Sequence, residues 1–287
     1  MGTRPQDRLR STGVPLGRLG TWVDAALRAA EASADAPTPS TGRYEFKYLV
    51  RAEQIDPITA FLSGRLELDK YGESRLRDSY TVRSIYYDSP TFRCYHEKAA
   101  GEKNRRKYRV RAYNAENSSA AYLECKQRRG ATYTKRKTRL EIASLTALRA
   151  RAGFDRSIAE PGGVLGQLLV SMDRWQYAPV ALVVYDRAAY VSPGQQDTMR
   201  VTLDRNLRAR LFPDLAEIHS EADLTPLLYG WTILEVKFND VVPDFLGYLT
   251  ALHDLQRQAC SKYAMSIACL LDENPTKREG WNHVDVF

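Results

Sequence analysis

The chain has 287 residues, 44% hydrophobic and 27% charged, enough for one large domain or two small ones with a sizeable core. Its formal charge of +7 and pI of about 9.2 suit nucleic acid, phosphorylated ligands or a membrane surface. There is no N-terminal apolar h-region and no apolar run approaching about 18 residues, so no membrane span is expected and the chain reads as soluble and cytoplasmic. The four cysteines, Cys94, Cys125, Cys260 and Cys269, show no CxxC spacing, and the four histidines are scattered. No zinc site is readable, and free thiols in a reducing compartment are expected.

Residues 1–41 form a polar leader rich in Gly, Pro and Arg, with one short helical stretch, TWVDAALRAAEASA, ended by turn-formers. From Arg43 strands dominate. They are expected near 42–50, 80–88, 105–114, 120–129, 132–142, 179–191, 198–205 and 231–238. QRRGAT is a hairpin signal between the fourth and fifth of these, with Gly130 at the turn. Helices are expected near 53–64, 90–98, 143–152, 161–174, 243–254 and 258–271. Strands and helices do not alternate regularly, which argues against a doubly wound parallel sheet. The expected class is α+β, a closed antiparallel barrel with helices packed outside. The expected organisation is a leader 1–41, a domain 42–271 and a tail 272–287.

Parity within the strands carries the functional signal, because side chains alternate between faces. In WTILEVKF, Glu235 and Lys237 oppose Leu234, Val236 and Phe238. In YEFKYLV, Glu45 and Lys47 share a face; in YLECKQ, Glu124 and Lys126 do. Arg109 and Arg111 share one face of KYRVRAYN. Lys135, Lys137, Arg139 and Glu141 share one face of YTKRKTRLEI. Tyr185 and Arg187 pair in LVVYDRAAY, and Arg200, Thr202 and Asp204 oppose Met199, Val201 and Leu203. An ordinary half-exposed sheet also puts charges outward, but here basic residues recur in nearly every strand. On the inside of a barrel such a lining requires a wet lumen and a compensating polyanion. The few glutamates then fit a divalent cation bridging to that polyanion, since hard cations take carboxylate and phosphate oxygens. Tyr86 and Tyr87 read as packing residues, and Asp88, before Ser89-Pro90, as a turn or helix cap.

In order, RYEFKYLV, SIYYDSPTFRCY, KYRVRAY, LECKQRRGATYTKRKTRL, VVYDRAAY, MRVTLDRNL, LEVKF and CSKYAMSIACL resemble the triphosphate tunnel metalloenzyme (CYTH-like) superfamily. Within it they resemble the polyphosphate polymerase (VTC) domain, over most of 42–271. The resemblance implies an eight-stranded antiparallel tunnel. In it the terminal phosphoryl of ATP passes to inorganic phosphate or to growing polyphosphate, helped by Mn2+ or Mg2+. It carries the family's catalytic basic residues onto Lys47, Arg109, Arg111, Lys126, Arg200 and Lys262, and its metal-binding glutamate onto Glu235. Lys137, Arg187, Lys237, Glu45 and Glu124 fit as substrate-binding positions by parity and motif; Glu124 and Glu45 equally fit as plain cross-strand partners of lysines.

The hydrolytic relatives show Glu-x-Glu-x-Lys on the first strand. Here the triplet is Arg43, Glu45 and Lys47, and the missing carboxylate tilts the reading from hydrolase to polymerase. The helical phosphate-sensing and membrane domains of the eukaryotic polymerase are not found in these residues. Two alternatives stay open: a tunnel triphosphatase acting on tripolyphosphate or nucleoside triphosphates, and a non-catalytic polyphosphate- or RNA-binding module. No specific nucleic acid is expected, because no stretch interleaves exposed aromatics with cations. No protein partner is readable.

Overall fold

A computed structural model describes residues 43–72, 78–114, 120–130, 132–142, 145 and 163–271. The expected leader helix, most of the expected helix near 143–152 and the tail 272–287 lie outside them. The strands are β1 (Arg43–Arg51), β2 (Glu67–Leu68), β3 (Tyr80–Asp88), β4 (Arg105–Tyr113), β5 (Ala120–Arg129), β6 (Thr132–Glu141), β7 (Ala178–Ser192), β8 (Gln195–Leu211), β9 (Thr225–Pro226) and β10 (Trp231–Asn239). All belong to one antiparallel sheet, ordered β1-β10-β8-β7-β3-β4-β5-β6, with β2 added to β7 and β9 to β8. The helices are α1 (Ile55–Ser63), α2 (Arg93–Ala99), α3 (Val164–Arg174), α4 (Asp244–Leu252) and α5 (Lys262–Leu271).

The class is as expected: an antiparallel sheet with helices. Closure is not. Among the described residues β1 forms a ladder with β10, its other edge takes an isolated bridge between Tyr48 and Arg257, and β6 forms a ladder with β5, so no backbone ladder joins the two ends. The outer edge of β1 is taken by the segment before α5, where Gln258 N donates to Lys47 O at 2.8 Å. Side chains reach round instead: Lys126 Nζ of β5 lies 3.5 Å from Glu45 Oε2 of β1.

The apolar parity packs two cores on the outer face. Tyr48, Val50, Val201, Leu203, Leu234, Val236 and Phe238 meet Ile58 and Leu62 of α1 and Leu246 and Leu249 of α4. Ile85, Tyr87, Val110 and Leu123 belong to the other core, with Leu168, Leu169 and Met172 of α3. Each such fully buried aliphatic side chain contributes about 1.5–3 kcal/mol. β8 runs well past the expected 198–205, because Asn206 takes a left-handed turn (φ 52°) where the β7–β8 register shifts. Alternation resumes beyond it, with Leu207 and Ala209 buried. α5 crosses the charged side of the sheet: its Tyr263 ring stacks on Tyr86 at 5.1 Å.

Candidate functional site

Register assembles the charged parities into one surface. Lys47 lies opposite Glu235, Glu45 opposite Lys237, and Lys237 opposite Arg200. Further round, Arg187 faces Asp204 and Tyr80; Arg111 faces Ser84 and Tyr122; Arg109 faces Tyr86 and Glu124; and Lys126 faces Lys107 and Lys135. This inner face is strongly cationic, and its carboxylates act as hubs. Glu124, nearly buried, accepts from Arg109 Nε at 2.8 Å and pairs with Lys135 at 2.9 Å. Asp204, fully buried, takes both forks of Arg187, at 2.6 and 2.8 Å, and Lys262 Nζ at 2.5 Å. Glu45 pairs with Lys47 at 2.8 Å, and Glu235 contacts Lys237 and, at 3.5 Å, Lys47. Arg200 donates to Asp69 Oδ2 at 2.5 Å and to the Tyr80 hydroxyl at 3.0 Å.

These contacts set the titration. Burial alone would raise Glu45, and Glu235 adds to that; Lys47, Lys237 and Lys126 outweigh both and bring it to about 2. Burial likewise opposes ionisation of Glu124 and Asp204. Arg109 and Arg111 overcome it for Glu124, and Arg187 and Lys262 for Asp204, leaving each at about 2. Glu235 is held well below the usual carboxylate range, against burial, by Lys237, Lys47, Lys262 and Arg187. Lys126 is lowered, by burial first and by Lys237 and Lys47 as like charges.

The structure therefore brings the twelve sequence-derived residues onto one face, but engages them unequally. Among the described residues Arg111 makes one long hydrogen bond, Nε to Ser84 Oγ at 3.4 Å. Arg187 and Lys262 are both committed to Asp204. Lys137 does not join Glu124, its partner in register; its ammonium sits over the Tyr122 ring at 3.6 Å.

Several inner-face groups were given no site role by sequence reasoning. Tyr86, expected to be packing, also accepts from Arg109 at 3.2 Å, and its hydroxyl pKa is lowered, against burial, by Arg109 and Arg111. Its place opposite Arg109 was the available signal. Lys107 donates to Ser261 Oγ at 2.9 Å; burial, then Lys47, Lys98 and Arg105, bring it down to about 7. Asp69 lies just after the two-residue β2, where no periodicity marks it. Asp88 is the cap expected: it accepts from the backbone of Ser89, Cys94 and Tyr95 and, at 2.5 Å, from Tyr263 Oη.

A divalent cation would find a sparse but suitable donor set. No group of three His, Cys, Asp or Glu gathers among the described residues. Glu235 has Glu45 as a like-charged neighbour and lies opposite Thr202, whose buried Oγ1 has no hydrogen-bond partner among the described residues. An orphaned hydroxyl beside a carboxylate fits a hard cation whose remaining ligands are phosphate oxygens and water, the usual arrangement for Mg2+.

No curated protein matches the chain. Among solved structures, a Vibrio parahaemolyticus protein named as a candidate adenylate cyclase is 10% identical, with TM-score 0.40, covering 79% of this chain and 98% of its own. The Schizosaccharomyces pombe Mediator head module is 11% identical, with TM-score 0.37, covering 75% of this chain and 100% of the matched one. At such scores neither likeness bears on function. Among the described residues no helix is long and apolar enough to cross a membrane. The family comparison is decisive where these are not: residues 42–271 match the VTC domain, and the chain belongs to that family.

Proposed function

We propose that this protein is a polyphosphate polymerase, moving the γ-phosphoryl of ATP onto inorganic phosphate or a growing polyphosphate chain held against the inner face. The observation that carries the reading is a run of cations on one face of the sheet, contributed by β1, β10, β8, β7, β4, β5, β6 and α5, inside a VTC-family chain. The curled sheet serves as the tunnel, its open seam bridged by side chains such as Lys126 and Glu45.

Phosphoryl transfer depends mainly on positioning and on neutralising phosphate charge. In this reading Arg109 and Arg111 grip phosphate oxygens with planar forks, and Lys47, Lys126 and Lys237 add compact charges. Arg200 closes the opposite wall, oriented by Asp69 and Tyr80. Asp204 holds Arg187 and Lys262 in place, so that their outward field, rather than free rotation, meets the ligand. Glu235, with Glu45 and Thr202 beside it, would hold Mn2+ or Mg2+, which when bound would add positive charge to neutralise phosphate.

The test is incubation of the pure protein with ATP and Mn2+, with products resolved on a polyphosphate-stained gel. The proposal expects acid-labile polymer. Free phosphate alone would make the protein a triphosphatase, and tight binding without turnover would make it a binding module.

A further inference from the structure

The charged surface does not stop at the tunnel lining. On the β4–β5 ladder, Lys107 pairs in register with Lys126, and two residues on Arg105 pairs with Arg128. These positions keep the inner-face parity, so the row continues to the rim of the sheet. There a cavity of about 330 Å³ opens, lined by Arg105 and Arg128 together with Arg93, Arg106, Arg129 and Trp175. Its carboxylate, Glu97, is already held by Arg93 Nε at 2.6 Å. The Arg93 guanidinium lies over the Trp175 ring at 4.0 Å, which fixes its plane. Arg128 Nε is turned to Gly130 O at 2.8 Å, while Arg106 and Arg129 have no carboxylate partner among the described residues. The electrostatic continuity is direct: Arg105 is one of the like charges that, behind burial and with Lys47 and Lys98, depress the Lys107 ammonium.

We propose that this rim cavity is a second anion site, taking a stretch of condensed phosphate chain whose end lies on the inner face. Clustered arginines with so little compensating negative charge repel one another unless an anion joins them. Guanidinium forks match the paired oxygens of successive phosphates better than they match isolated anions. A triphosphate satisfies the inner face alone. A longer chain reaches both sites and gains affinity because its second contact is intramolecular. The inference rests on the polyphosphate reading of the inner face.

Equilibrium binding by the full chain tests it, with tripolyphosphate and a polyphosphate of about 50 phosphates as probes, the gain for the longer probe being the readout. The wild type should bind the long chain more tightly than tripolyphosphate. Arg106→Gln/Arg129→Gln should weaken the long chain about tenfold, lower its log–log salt slope by about 1 and leave tripolyphosphate binding unchanged. A variant that keeps the full gain for the long chain overturns the rim site and leaves the inner-face reading standing. Wild-type protein that binds neither probe overturns both. A single-stranded RNA of equal charge that binds as tightly as polyphosphate, and weakens equally in the variant, overturns the assignment to condensed phosphate. To tell a chain made on the enzyme from one captured from solution, the variant is supplied with ATP and Mn2+ and no added polyphosphate. Shortened product supports a tail laid into the rim as it grows. Product of unchanged length, together with lost long-chain binding, supports capture of free chain by the same site.

Discussion

Lys107 is where the physics of the inner face is most exposed. Its pKa of about 7, against 10.5 for an ordinary lysine, comes from burial and then from Lys47, Lys98 and Arg105. The native state therefore binds its proton less readily than the unfolded chain does. Below about pH 7 the folded protein bears the full cost of the charge, and stability recovers as pH rises from 7 towards 10.5. Lys107→Met should raise the denaturant midpoint at pH 6.5 by an amount equivalent to roughly 1 kcal/mol, discounted for partial solvent access. That gain should fade by pH 10, and a gain independent of pH would show that the lysine is not the source. Arg200, though opposite Lys237, is oriented by Asp69 and Tyr80. Arg200→Ala should lower polymer formation from ATP by about 100-fold with only a small drop in melting temperature, because Asp69 keeps the Tyr71 and Gly72 amides. Undiminished polymerase activity in the folded variant would remove Arg200 from the site. Parity made Arg200 and Glu235 visible in the sequence. Asp69 was invisible because it follows a strand too short to show a period.

At the scale of elements, α5 shows how one helix becomes part of the site. Its apolar positions predict a helix and nothing more, but Tyr263 Oη is anchored on Asp88 while Lys262 reaches Asp204. Asp88 also caps α2, so a single buried carboxylate ties two helices to the end of β3. Tyr263→Phe should cost about 1–3 kcal/mol in denaturant unfolding and should also reduce activity, since α5 carries Lys262. Normal stability in that variant would mean that the hydrogen bond contributes no net energy. β8 teaches the converse. Its second half was missed because the turn at Asn206 interrupts a two-residue period, and only pairing with β7 on one side and β9 on the other restores it as strand.

Across the whole molecule, cations drawn from both ends of the sheet converge on one surface, and a bound polyanion should relieve their repulsion. Tripolyphosphate at 100 times its Kd should stabilise the protein by about 2.7 kcal/mol. The accompanying rise in melting temperature should shrink as salt is raised, and a salt-insensitive rise would point to binding elsewhere. Most of the strands, their two faces and the basic character of one of them were legible in the chain, because a two-residue period is a local property; β2, β9 and the second half of β8 were not. The sequence by itself also carried the family likeness, through the order of short segments. Only the tertiary structure decided which charges meet: that Asp204 binds both Arg187 and Lys262, that Lys137 turns to Tyr122, that Lys126 bridges to Glu45 without a closing ladder, and that five arginines share a rim cavity. Register and sheet curvature bring together residues far apart in the chain, and no local pattern encodes those distances.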